Sequence, residues 1–268
     1  MNVDAYLDRL DYQGSRAPTL ATLRALHQAH LLAVPFENLD IHLGRKIVLD
    51  EGQFYDKIVT RRRGGFCYEL NGLFASLLRT LGFDVTLLSA RVTTGNGDFG
   101  PEFDHLVLLV QIDNPLQTGP AIIRAEPPAW AEARWLADVG FGDGFREPLR
   151  LDDPETQVQA FGAYRVSGNG DQWTMLERGP EGQWNAEGYA FSLQPRQLAE
   201  FAAMCHWQQT APESHFTQKR VCSRARPDGR ITLSDTCLIT TTQAGRQERR
   251  LGSEAEVRTI LKDQFGIE

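Results

Sequence analysis

The sequence predicts an α+β protein built in three consecutive parts, and two observations carry that prediction. Apolar residues recur at three- and four-residue steps through the first 84 residues, again between 189 and 205, and again from Glu254 to Phe265, the period of helices packed on one face. Between them the pattern changes to short β-branched and apolar runs punctuated by Gly, Pro and Asn, the signature of strands and turns. The parts are a helical 1–84 with a nucleophilic cysteine, a strand-rich 85–188 and a mixed 189–268. At 268 residues and 41% hydrophobic content the chain can bury the core of one large domain or of two to three small ones.

The first 30 residues read as two helices, one carrying Tyr6, Leu7 and Leu10, the next carrying Leu20, Leu23, Leu26 and His30 after Pro18-Thr19. His27 and His30 share a helical face at a spacing a metal can use, but no third ligand accompanies them and a structural role is expected. Val34 to His42 reads as a loop that packs Phe36 and Leu39, and a helical pattern around Phe54, Ile58 and Val59 follows. After Gly82 the expected strands are 85–88, 92–94, 105–112, 135–139 and 164–166. A helix is expected over 189–205, short strands at 220–222 and 231–233 joined through Pro227-Asp228-Gly229, and a terminal helix over 254–265. The segment 113–134, with Asn114-Pro115, Gly119-Pro120 and Pro127-Pro128, reads as an extended, proline-rich hairpin loop.

The chain is organised around Arg63-Gly64-Gly65-Phe66-Cys67-Tyr68-Glu69-Leu70-Asn71-Gly72. Phe66, Leu70, Leu73, Phe74, Leu77, Leu78 and Leu81 make the helix behind it amphipathic, and Gly82 closes it. Cys67 then lies in the first turn, where free backbone N–H groups and the helix dipole favour a thiolate and lower the thiol pKa. Gly64 and Gly65 allow a tight turn with no side chain over the sulfur. A free cysteine is often an inert core filler; the double glycine and the arginine run just before it favour a nucleophile.

A net charge of −7 argues against a general nucleic-acid binder, and the longest basic run is Arg61-Arg62-Arg63, with Arg249-Arg250 a pair. The arginines before Cys67 answer buried carboxylates or an anionic substrate. No stretch approaches the roughly 18 apolar residues of a membrane span. Asp4, Asp8 and Asp11 interrupt anything like a signal peptide. Four scattered cysteines without a C-x-x-C pair fit a reducing cytoplasm rather than a disulfide or zinc framework.

A cysteine nucleophile needs a base, and the base needs a group to orient it. His105 opens a run apolar on both faces, so it is placed in the interior. A histidine satisfied by one backbone hydrogen bond would read the same way. Asp138 interrupts the apolar run Leu136-Ala137-Asp138-Val139, where an unpaired carboxylate costs several kcal/mol, about the worth of a good partner. The line Cys67, His105, Asp138 follows if the three meet. Gly140-Phe141-Gly142-Asp143-Gly144 adds a turn whose N–H groups can face an oxyanion, although a plain turn reads alike.

Taken with Val34-Pro35-Phe36-Glu37-Asn38-Leu39-Asp40, His105, Asp138-Val139-Gly140-Phe141-Gly142 and the late Ser214-His215-Phe216 block, the cysteine motif resembles the arylamine N-acetyltransferase family nearly end to end. The resemblance implies an N-terminal helical bundle with the cysteine, a central β-barrel with the histidine and aspartate, and a C-terminal α/β lid. It implies a ping-pong reaction in which Cys67 takes acetyl from acetyl-CoA and passes it to the nitrogen of an arylamine or arylhydrazine. Carried over by motif, Cys67, His105 and Asp138 are the triad; Phe36, Val92 and Phe141 line the acceptor pocket, and the Gly142 backbone approaches the acyl donor. No permanently bound cofactor, metal, nucleic acid or membrane is implied, and the expected state is a cytoplasmic monomer or homodimer.

Three other readings use the same residues. A thiol hydrolase or transglutaminase-like enzyme would acylate from an amide. A macrocycle-forming amide synthase would carry a long acyl chain. A redox-sensing binding protein would keep Cys67 reactive without turnover, but would have no use for a positioned His105 and Asp138. Glu37 and Glu69 could serve as general acid/base carboxylates, but burial against Arg9 or Arg63 as structural ion pairs is the favoured reading.

Overall fold

A computed structural model describes residues 1–94, 98–113, 132–179 and 182–268. Most of the segment 113–134 lies outside these described residues, and with it the expected hairpin loop.

Helix α1 (Val3–Arg9) starts on Asn2, whose side chain accepts the Ala5 N–H, and α2 (Leu20–Ala33) starts on Thr19 in the same way. The stretch expected to be a loop holds a short strand β1 (Phe36–Glu37) and a helical turn α3 (Leu39–His42). Helix α4 (Glu51–Tyr55) widens into one π turn over Asp56–Thr60, and α5 (Cys67–Thr80) follows. Arg9 binds these pieces together: it donates to the carbonyls of Ala33, Ile58, Arg62 and Arg63. It therefore serves carbonyls, not Glu37 or Glu69, and burial lowers its pKa to about 10.

Helix α5 ends as the sequence predicts, at a left-handed Gly82 with φ of 91°. It is not amphipathic in place, since every residue from Cys67 to Leu78 is buried. The bundle covers one side of it and the barrel the other.

The barrel is one eight-stranded antiparallel sheet: β2 (Asp84–Val92), β3 (His105–Asp113), β4 (Glu132–Ala137), β5 (Leu149–Arg150), β6 (Gln157–Gln159), β7 (Gly162–Asn169), β8 (Gln172–Arg178) and β9 (Trp184–Ser192). Its order is β5-β4-β3-β2-β9-β8-β7-β6. Side chains bridge the two ends. Gln157 accepts the Arg150 N–H and returns its amide to the Arg150 carbonyl, and Gln159 does likewise at Arg146 and Glu147. The glutamines stand in for ladder bonds and nearly close the barrel. Strand β3 is apolar on both faces for a visible reason: Leu106, Leu108 and Val110 pack on α5, while Val107 and Leu109 fill the barrel.

Beyond the barrel a 3-10 turn (Leu198–Phe201) runs into α6 (Ala202–Thr210), then α7 (His215–Gln218). The helix expected to begin at 189 starts only after Pro195, because Tyr189 to Ser192 pair with β2 and β8. Strands β10 (Val221–Arg226), β11 (Gly229–Ser234), β12 (Cys237–Thr242) and β13 (Gly245–Arg250) form a second sheet that β1 joins at the β10 edge. Helix α8 (Glu254–Phe265) covers it with Val257 and Phe265, and no helix of the described chain is long and apolar enough to cross a membrane.

Candidate active site

Cys67 is the first residue of α5, and two different assemblies hold that end of the helix. Behind it lies an ionic cage. Lys57 Nζ sits 2.8 Å from Asp40, 2.9 Å from Glu69 and 3.7 Å from Glu37, while Arg63 donates to Asp40 at 2.6 Å and to Glu37 at 2.7 Å. Glu69 also accepts the Phe66 N–H, so the cage grips the helix at its cap. Burial pushes the Glu69 carboxyl up to about 7 against the pull of Lys57. The glycines serve this packing more than access to sulfur: a Cβ on Gly64 would collide with the Pro35 carbonyl, and one on Gly65 would lie 2.8 Å from the Glu69 Cβ.

In front lies a smaller assembly of one carboxylate, one imidazole and neutral donors. Strand β3 presents His105, 3% exposed, and Asp138 stands one residue past the end of β4 rather than within it. His105 Nε2 and Asp138 Oδ2 are 2.7 Å apart. Asn71, one helical turn after Cys67, fills the place where β4 leaves the sheet. Its amide donates to the Leu106 carbonyl at 2.6 Å and to Asp138 Oδ1 at 2.8 Å, and its carbonyl accepts the Val139 N–H. The Gly140 N–H is a further donor to Asp138. Burial opposes ionisation of Asp138, yet His105 and these donors hold its pKa below the usual carboxylate value. His27 Nε2 accepts the Asp138 backbone N–H, which leaves its Nδ1 as the donor to the Arg146 carbonyl. His27 is thus a neutral structural linker, and burial lowers its pKa to about 4. His30 meets the Tyr6 hydroxyl instead.

The His105–Asp138 pair leaves the Nδ1 side of the imidazole for the cavity that Cys67 also lines. That cavity, about 380 Å³, carries Phe36, Val92, Phe141 and Phe216 on its walls. The rings of Phe141 and Tyr189 each pack 5.4 Å from His105. Gly142 is not among its described lining residues; it takes φ of 88° and backs onto the Phe36 ring. Gly140 explains the glycine turn better, because a Cβ there would lie 2.9 Å from both Cα and O of Cys67. The expectation of a low thiol pKa fails: burial pushes Cys67 up, with Asp104, Cys205 and Asp138 adding to it, while the Tyr68 N–H opposes. The helix terminus contributes one donor to the sulfur, too little to offset its desolvation.

A thiol at a helix start, an imidazole oriented by a buried carboxylate and a shared apolar cavity suit acyl transfer. The sequence matches the N-acetyltransferase family model over residues 19–116 and 129–268. The chain belongs to the arylamine N-acetyltransferase family. It is 34% identical to the arylamine N-acetyltransferase of Escherichia coli over 98% of this chain and 87% of that one. The solved Salmonella typhimurium arylamine N-acetyltransferase superposes with a TM-score of 0.86 at 34% identity, covering 99% of this chain and 90% of that one. The Mycobacterium marinum arylamine N-acetyltransferase, solved in complex with CoA, does so at 0.85 and 32%, covering 99% and 93%. The protein is therefore an acetyltransferase of this family, with the helix, barrel and second-sheet architecture of its relatives. Asn71 and His27 were given no part in the site by sequence reasoning. The available signal for Asn71 was an amide one residue after the apolar Leu70, in the motif that opens the cysteine helix.

Proposed function

We propose that the protein transfers acetyl from acetyl-CoA to the nitrogen of an arylamine or arylhydrazine through a thioester on Cys67, with His105 and Asp138 completing the triad. The observation that carries this reading is the 2.7 Å contact of His105 Nε2 with Asp138 beside the cavity that Cys67 lines. Because burial favours the thiol over the thiolate, attack and deprotonation are coupled. As Sγ bonds to the acetyl carbonyl, His105 takes its proton. The C–S bond to CoA then breaks, and the imidazolium returns the proton to the departing CoA sulfur. An arylamine, unprotonated at neutral pH, attacks the thioester; His105 takes a proton from nitrogen, and Cys67 leaves as thiol. Asp138 stabilises the imidazolium and fixes its ring. The Cys67 N–H, at the first helical position where no intrahelical carbonyl reaches it, is a candidate oxyanion donor. Phe36, Val92 and Phe141 supply apolar walls for the aryl ring, and Gly142 supports Phe36 from behind.

Initial rates measured over a grid of acetyl-CoA and arylamine concentrations test the order. Parallel double-reciprocal lines are expected, since CoA leaves before the amine binds. Intersecting lines would show a ternary complex and overturn the thioester route.

A further inference from the structure

The cavity above Cys67 is apolar on its walls but not electrically neutral. Asp104 and Glu213 line it beside the imidazoles of His105 and His215, and among its described lining residues no lysine or arginine opposes them. Asp104 is a fixed feature. The buried Gln208 donates its Nε2 to Asp104 Oδ1 at 2.9 Å and to the Asp104 carbonyl at 2.8 Å, and the Tyr68 hydroxyl reaches the same carbonyl. After burial, Asp104 is the largest influence raising the Cys67 thiol pKa, so its charge is felt at the reacting sulfur. Glu213 lies at the outer side of the cavity, exposed in the turn before Ser214 and α7.

We propose that Asp104 and Glu213 make this an anion-repelling acceptor cavity, selecting neutral or cationic arylamines and hydrazides over arylamines that carry a ring carboxylate. The inference rests on the acetyl-transfer reading above. An amine whose nitrogen reaches the thioester must lay its ring along Phe36, Val92 and Phe141, inside the same cavity as the two carboxylates. A carboxylate on that ring meets like charge from the part-buried Asp104 and, through more solvent, from the exposed Glu213. A hydrazide or amide offers N–H donors there instead. Acetyl delivery is not opposed, because the thioester end of CoA is uncharged.

The test uses the acetylated enzyme and two acceptors of one shape, 4-aminobenzoate and 4-aminobenzamide, with kcat/KM measured for each. Comparing the amide-to-acid ratio between wild type and variants cancels the intrinsic reactivities of the amines. The wild type is expected to favour the amide. Asp104→Asn is expected to shrink the ratio about tenfold, and the exposed Glu213→Gln about twofold. Raising salt on the unmutated protein should shrink it too, which keeps the test valid if Asp104→Asn folds poorly. A ratio unmoved by both variants and by salt, with both amines discharging the enzyme, would overturn this inference alone. Failure of the enzyme to take acetyl at all would overturn the reading beneath it.

Discussion

The two assemblies at the start of α5 are both buried and both charged, yet they are built on opposite rules. The cage behind Cys67 sets three carboxylates, Glu37, Asp40 and Glu69, against two cations, Lys57 and Arg63. The exposed Arg45 reaches Asp40 from outside at 3.7 Å, and burial, with Glu37 adding to it, raises the Glu69 pKa. The assembly in front sets one carboxylate against one imidazole and spends neutral donors, Asn71 and the Gly140 N–H, on the remaining lone pairs. The first arrangement fixes a helix terminus and has no group free to react. The second gives His105 one carboxylate partner at Nε2 and, among the described residues, none at Nδ1, the arrangement the proposed reaction needs.

The largest effect is expected at the front. Asp138→Asn should lower kcat/KM by about 10³-fold or more while leaving the fold intact, because the amide neither stabilises an imidazolium nor fixes its tautomer. Steady-state kinetics beside a circular dichroism melt would read this, and a loss below tenfold would erase the distinction between the assemblies. At the back the cost should appear in stability. Lys57→Met leaves Glu69, Asp40 and Glu37 short of a cation and should cost about 3–5 kcal/mol in urea unfolding. Near-neutral stability would mean the cage is replaceable. Asn71→Ala should fall between, with about a 10- to 100-fold loss of kcat/KM as Asp138 loses its side-chain donor.

The smallest effects are in pH dependence, and they have opposite signs. Glu69 rises to about 7 in the folded chain from an ordinary carboxyl value near 4.3, so folding takes up a proton. Its contribution is full below about 4.3 and lost as pH climbs through 7. His27 falls to about 4 from near 6.5, so its contribution is full above 6.5 and lost as pH drops through 4. Between roughly pH 4.5 and 6.5 the two oppose each other. Relative to wild type, Glu69→Gln should tilt the stability profile toward higher pH, and His27→Gln toward lower pH, each by up to about 1 kcal/mol per unit. Tilts of the same sign would contradict the assignment.

Much of this was legible in the sequence, and the remainder was hidden for physical reasons. The α5 and terminal-helix patterns carry strong periodicity, the strand at His105 is an unbroken apolar run, and each appears where it was read. Phe191, Leu193, Leu198 and Phe201 also fit helical spacing, so β9 was masked until its partners β2 and β8 were known. Strand β13, Gly245–Arg250, is exposed throughout and has no alternation to betray it. Within the site, Cys67, His105 and Asp138 were legible because each violates its surroundings. The partition of Glu37 and Glu69 between Arg63 and Lys57, and the span from His27 to Asp138, depend on contacts between residues distant in the chain. The thiol pKa was misjudged for a related cause: a helix terminus is visible in sequence, whereas the burial that outweighs it is not.

Intact-mass measurement after brief mixing with acetyl-CoA, beside Cys67→Ala, tests the central claim most directly. The account predicts a single acetyl increment on the wild type alone, discharged when an arylamine is added. An unmodified wild-type chain, or an increment that persists on Cys67→Ala, would contradict it.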